Sequence, residues 1–159
     1  MPYFQSFVHG RILVIRWLEP SPTGARELSR LVQRSHAAAG EPLFLAGVVS
    51  AKCPTPNTEE RRALNVEHEQ VADLLLSSRI VVLGRSFRQS LMRSVLANIL
   101  MIARGKGRGF VIDSSAIEMA EAAHELVGVD TRWLIGRLLD VGVLLPDEVE
   151  LPLAASLAR

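Results

Sequence analysis

The stretch from Gly109 to Glu118 reads GFVIDSSAIE. A short apolar run ends in Asp113-Ser114-Ser115, and a helical pattern begins directly after it. We interpret this as a strand that leads into a capped helix, because Ser115 and Glu118 have the spacing of a capping box. Such a joint is typical of α/β proteins, whose open sheets bind ligands at the carboxyl ends of the strands.

The composition indicates one soluble globular domain. The chain has 159 residues, of which 48% are hydrophobic and 22% charged, and this length suits a single core. A net charge of +1 provides no overall field that would attract nucleic acid or a membrane surface. The single cysteine, Cys53, excludes an internal disulfide and favours a reducing compartment. No secretory leader and no apolar run of about 18 residues is visible, so we expect a cytoplasmic protein without integral membrane association.

Outside residues 109–118, apolar patterns predict strands and helices in alternation. Two short strands joined at Gly10 predict a β-hairpin, and Gly40 ends the first helix. Thr58 is the expected N-cap of the second helix, whose buried stripe extends to Leu75. The remaining predicted elements are strands at 43–49, 79–84 and 110–112, a very apolar helix at 86–103, a helix from 116, and a short helix that starts at Asp130 or Thr131.

This order predicts an α/β fold with an N-terminal β-hairpin and a mostly parallel sheet of four to five strands. Helices flank the sheet, and an extra helix follows at the C-terminal end. We expect residues 1–145 to form the single domain. Residues 146–159 show no clear periodicity and are interpreted as a C-terminal tail.

Two His-Glu pairs resemble the beginning of a zinc-protease motif. They are His68-Glu69 and His124-Glu125, but neither is followed by the second histidine that the motif requires. We interpret these residues as solvated or partly packed helix residues. The sequence therefore predicts no metal and no cofactor.

Two further groups could serve as nucleophiles. Ser86 follows a predicted strand and opens a helix, as in a nucleophile elbow, but Arg88 occupies the place of the required glycine. Cys53 lies in a proline-containing loop, and no spacing connects a histidine to either nucleophile. We therefore expect that the protein is not an enzyme.

The predicted carboxyl edge of the sheet is the best candidate for binding. Two arginines at the start of the helix at 86–103 could hold an anion with the help of backbone N–H groups, or could simply be solvated. Capping alone could also explain Asp113-Ser114-Ser115. The candidate anion or partner edge consists of Arg85, Ser86, Arg88, Asp113, Ser114 and Ser115.

The element order over residues 3–127 resembles the STAS domain of bacterial anti-sigma-factor antagonists, especially divergent SpoIIAA-like members. This fold is shared with lipid-binding domains of the CRAL-TRIO type. Regulatory members carry Asp-Ser-Ser-Gly or a similar sequence at a strand-to-helix joint, where a partner kinase phosphorylates one serine. Asp113-Ser114-Ser115 is similar, so the resemblance makes Ser114 and Ser115 candidate phosphorylation sites. This chain departs from the pattern because Ala116 replaces the glycine and the motif follows the last strand rather than the third.

The sequence leaves two possible functions open. The resemblance implies a non-enzymatic regulatory module of the bacterial cytosol that signals by binding a protein partner. A homodimer could form through the apolar helix at 86–103 or through the opening hairpin. The alternative is a small-ligand or lipid-binding domain that uses the carboxyl edge of the sheet, where a small anion could also bind.

Overall fold

Five strands form one mixed sheet in the computed structural model, which describes residues 2–84, 92 and 110–149 and only the backbone of Phe110. The strands follow each other across the sheet in chain order; the first pair is antiparallel and the others are parallel. This confirms the predicted α/β fold with its N-terminal hairpin and mostly parallel sheet. The strands are β1 (Phe4–His9), β2 (Ile12–Trp17), β3 (Leu43–Val49), β4 (Leu75–Val82) and β5 (Phe110–Asp113).

Part of the predicted site falls outside these residues. Arg85, Ser86 and Arg88 lie outside the described residues, as does the predicted helix at 86–103 apart from Met92. The candidate edge can therefore be examined in the structure only at Asp113, Ser114 and Ser115.

The helices begin and end at residues that suit those positions. Ser21 accepts a hydrogen bond from the Gly24 backbone N–H at 2.9 Å, and Gly40 ends the first helix with a φ of 73°. Asp130 caps the last helix by accepting from the Trp133 N–H at 2.9 Å, and this helix begins at Thr131, one of the two predicted starts. The helices are α1 (Pro22–Ala39), α2 (Thr58–Val71), α3 (Ala116–Val127) and α4 (Thr131–Asp140), with 3₁₀ turns at Ala72–Leu74 and Pro146–Glu148.

The predicted boundaries are wrong at the start of α2 and at β4, which was expected at 79–84 and spans Leu75–Val82. Asn57, not Thr58, caps α2, because its side chain accepts from the Glu60 N–H at 2.8 Å while the Glu60 carboxylate accepts from the Asn57 N–H at 2.9 Å. Leu75 is the first residue of β4 rather than part of the buried stripe of α2, because the 3₁₀ turn ends the helical run before it.

The sheet has a separate hydrophobic core on each face. Alternate side chains of β2 and β3 point to opposite faces, so β3 is buried at every position, as its continuous apolar run predicts. Val32 of α1 and Val71 of α2 cover one face, which we call the α1/α2 face. Met119 of α3 and Leu138 of α4 cover the other, the α3/α4 face.

Candidate functional site

A cavity of about 110 Å³ lies on the α1/α2 face, between the sheet and the two helices. Its sheet side is formed by β2, β3 and β4, including Trp17 and Val49 at the carboxyl ends of β2 and β3. The β3–α2 loop closes one side with Cys53, Pro54 and Pro56. The apolar lining residues are Ile15, Trp17, Pro20, Ala25, Leu28, Val32, Leu45, Gly47, Val49, Pro54, Pro56, Leu64, Val71, Ile80 and Met92.

Strand alternation explains why these residues face the cavity. Ile15 and Trp17 of β2 lie two positions apart, as do Leu45 and Gly47 of β3, and each pair shares one face of the sheet. Gly47 leaves room for the Trp17 indole, since a Cβ at this position would lie 3.4 Å from the indole Nε1. A Cβ at Gly47 would just touch the indole, so a side chain larger than that of alanine would displace this part of the wall.

A few polar groups interrupt this wall. Ser29 of α1 and Ser78 of β4 are buried, and Cys53 is buried with its thiol 3.7 Å from the Pro54 carbonyl oxygen. His68 of α2 lines the same cavity as Cys53. The sequence did not indicate this arrangement, because no familiar spacing connects a loop cysteine to a histidine on the following helix.

Burial changes the protonation of His68. Desolvation lowers the pKa of its imidazole to about 4, although the nearby Glu69 carboxylate acts in the opposite direction. A neutral imidazole is therefore the form that lines the cavity at pH 7.

We expect His68 to make folding sensitive to acid. The unfolded chain protonates this histidine near its ordinary pKa of 6.5, whereas the folded protein resists protonation down to about pH 4. Stability is therefore fully present above pH 6.5 and falls as the pH drops towards 4, by up to about 3 kcal/mol. Urea unfolding from pH 7 to pH 4 measures this loss, and His68→Gln should remove most of it. If the wild type and His68→Gln lose stability in parallel, burial of His68 is not the cause.

Asp113 has a different role from the one that the sequence suggested. Its carboxylate accepts two hydrogen bonds from the Arg79 guanidinium, at 2.7 Å from Nε and 2.8 Å from Nη2. Because Arg79 holds both carboxylate oxygens and Ser115 is the N-cap of α3, capping as the explanation of Asp113 is wrong, and the residue is only 2% exposed. Its register partner Val81 belongs to the core of the α3/α4 face. The Asp113 side chain therefore lies on the α3/α4 face, opposite to the cavity, where it forms a buried ion pair with Arg79.

The two serines that follow Asp113 form hydrogen bonds with Glu118, in the first turn of α3. Ser115 caps α3 by accepting from the Glu118 N–H at 3.1 Å, as predicted. The other half of the predicted capping box is wrong, because the Glu118 carboxylate accepts from the backbone N–H and the hydroxyl of Ser114, each at 3.0 Å, rather than from the Ser115 N–H. Phosphorylation of either serine stays a prediction. A phosphate on exposed Ser114 would meet the Glu118 carboxylate, and one on Ser115 would replace the capping bond.

A second buried ion pair lies on the α3/α4 face, at the start of the region interpreted as a tail. Glu148 accepts hydrogen bonds from the Arg16 guanidinium, one of them at 2.9 Å from Nη2. Arg16 also donates to the Val143 carbonyl oxygen at 3.2 Å. The two side chains are 10% and 12% exposed. Residues 146–149 are thus joined to the carboxyl end of β2.

Within residues 2–84, 92 and 110–149, no group of three or more His, Cys, Asp or Glu side chains could hold a metal ion. None of the helices formed by the described residues is both long and apolar enough to cross a membrane. Comparison of the chain with protein-family models and with curated proteins finds no match to either.

Proposed function

We propose that the chain is a non-enzymatic binding module that holds a small, mainly apolar molecule in the cavity on the α1/α2 face. The observation that carries this proposal is the cavity itself, about 110 Å³ in volume with a mostly apolar wall. Protein interiors are normally packed with few voids larger than a water molecule. An apolar cavity of roughly 150 Å³ can hold benzene, so this one suits a compact ligand of similar or slightly smaller size.

The position of the cavity supports the same role. Trp17 and Val49 end two neighbouring parallel strands, and open α/β sheets bind ligands beyond these carboxyl ends. The loop that follows β3 adds Cys53, Pro54 and Pro56 to the cavity lining at the same end of the sheet. The proposed function is the small-ligand alternative from the sequence, but it places the ligand on the α1/α2 face, opposite to Asp113.

A leucine at Ala25 should abolish ligand binding. Ala25 is 2% exposed and lines the cavity on α1, so three additional carbon atoms would occupy the space of the ligand. Methylcyclopentane at ten times its dissociation constant should stabilise the wild type by about 1.4 kcal/mol, which raises Tm by about 3–6 °C. Ala25→Leu should show no such rise.

Ala38→Leu provides the matched control, because Ala38 lies on the exposed side of the same helix. It should respond to methylcyclopentane like the wild type. An unchanged Tm of the wild type across apolar ring compounds of this size would contradict the proposal.

We propose partner binding as a second function, supported by the edge strand β1. One side of β1 pairs with β2, and no strand of the described residues pairs with its other side, so another strand could use the backbone groups there. Val8 is 46% exposed on one face of β1. Trp133 is 39% exposed near the other face, with its ring 4.7 Å from that of His9. The STAS-like relationship that suggested a regulatory module stays a prediction from element order.

Pairing of β1 with β1 of a second copy would give a symmetric dimer. We expect light scattering over a concentration series to show a dimer that Val8→Lys converts to a monomer, because the lysines would lie against the opposing strand. Val66→Lys is the control, since Val66 is 48% exposed on α2, away from β1. A monomer at every concentration would contradict self-association through this strand.

A further inference from the structure

Two buried serines, Ser29 and Ser78, are among the polar residues that line the cavity, which also include Cys53, Asn65, Glu67 and His68. We infer that the cavity takes an uncharged ligand with an apolar body and one hydroxyl group, and that Ser29 and Ser78 bind this hydroxyl. The inference rests on the ligand-binding function proposed above and adds the chemical class of the ligand.

Ser29 and Ser78 reach the cavity from opposite sides. Ser29 belongs to α1 and Ser78 to β4, and each is 5% exposed. Ser78 is the register partner of Leu45, which also lines the cavity. Burying a hydroxyl in apolar surroundings is unfavourable unless a polar atom lies nearby. Ser29 and Ser78 thus place two hydroxyls in a mostly apolar wall, where a polar atom of a ligand between helix and sheet could form a hydrogen bond.

The hydrogen-bonding capacity of serine suits a ligand hydroxyl. Each seryl hydroxyl has one proton to donate and two lone pairs that accept. Even when its proton is donated to a backbone carbonyl group, the oxygen can still accept from a ligand. A ligand hydroxyl can donate to one serine and accept from the other, whereas a carbonyl group can only accept.

The charges around the cavity favour an uncharged ligand. The Arg79 guanidinium is paired with Asp113 through two hydrogen bonds, and so it is not available to a ligand anion. The His68 imidazole is neutral at pH 7 because burial lowers its pKa to about 4. Glu67 is the carboxylate among the described lining residues, and it would repel an anion. Transfer of a cation into the apolar wall would require the loss of its hydration.

Binding of two ring compounds of the same shape tests the inference. Cyclopentanol and methylcyclopentane differ by a hydroxyl in place of a methyl group, and neither absorbs where tryptophan does. Trp17 lines the cavity and Trp133 does not, so in a Trp133→Phe background the fluorescence of Trp17 reports binding. Ser29→Ala and Ser78→Ala should each weaken cyclopentanol binding about three- to tenfold, as expected for one lost hydrogen bond.

Binding of methylcyclopentane should be the same in both serine variants. Ser35→Ala is the matched control and should change neither affinity, because Ser35 is buried on α1 but does not line the cavity. If methylcyclopentane binds and the serine variants leave cyclopentanol unaffected, the hydroxyl assignment is overturned while the proposed function stands. If neither compound binds the wild type, both are overturned. Tighter binding of cyclopentylammonium than of cyclopentanol would overturn the requirement for an uncharged ligand.

Discussion

Replacing Arg79 with alanine is expected to lower the free energy of unfolding by about 3–5 kcal/mol. The side chains of Arg79 and Asp113 are 15% and 3% exposed, and the guanidinium donates two hydrogen bonds to the carboxylate. Removal of the arginine leaves a buried carboxylate without its counter-charge, which is far more costly than the loss of an exposed pair. Urea unfolding monitored by circular dichroism would measure the change.

Two further variants separate the buried charge from other effects. Arg137→Ala is the control, because Arg137 and Asp140 are 46% and 68% exposed and 3.6 Å apart, so the loss should stay below about 1 kcal/mol. The double variant Arg79→Met with Asp113→Val should recover most of the stability, since it removes both buried charges together. A loss for Arg79→Ala as small as that for Arg137→Ala would show that the buried pair contributes little.

Replacing Glu148 with alanine is expected to have a similar effect, a loss of about 3–5 kcal/mol. This carboxylate accepts from the Arg16 guanidinium and also from the Leu145 backbone N–H at 2.8 Å. Without it, Arg16 would keep one hydrogen bond, to the Val143 carbonyl oxygen. The guanidinium would remain largely buried beside an apolar core, and the 3₁₀ turn at Pro146–Glu148 would lose its attachment to the sheet.

Asp147 supplies the matched control for this experiment. It is the exposed neighbour of Glu148 in the same 3₁₀ turn, so Asp147→Ala should change the free energy of unfolding by less than about 0.5 kcal/mol. A chain that ends at residue 145 should lose as much stability as Glu148→Ala. Equal effects of Asp147→Ala and Glu148→Ala would contradict a specific role for the buried pair.

The fold could be predicted because its signals are local. The unbroken apolar run of β3 indicated a strand buried on both faces, and all of its residues are buried. Gly40 and Ser115 marked helix ends correctly, since capping depends on residues only a few positions apart. The same locality explains the error at Asn57 and Thr58, which are neighbouring residues that both have capping side chains.

The candidate site was less predictable because its contacts are distant in sequence. Asp113 lies 34 residues from Arg79, and a local explanation as a helix cap was available and wrong. Arg16 and Glu148 are separated by 132 residues, and no periodicity marks the second of them. The cavity depends on how closely α1 and α2 approach the sheet, which no single stretch of sequence records. From the sequence, His68 and Ser29 look like ordinary helix residues, because their place in the cavity wall depends on how α1 and α2 pack against the sheet.

The order of the strands has a consequence for how the chain folds during synthesis. Each strand lies beside the one that precedes it in the chain, so every strand can join an existing edge as it leaves the ribosome. Such stepwise growth avoids the wait for a distant strand that slows many β-rich topologies. The bond between Arg16 and Glu148 forms later, since it must wait for a residue 132 positions further along the chain. It therefore attaches residues 146–149 to a sheet that has already formed, and nascent chains that lack Glu148 should remain susceptible to proteases.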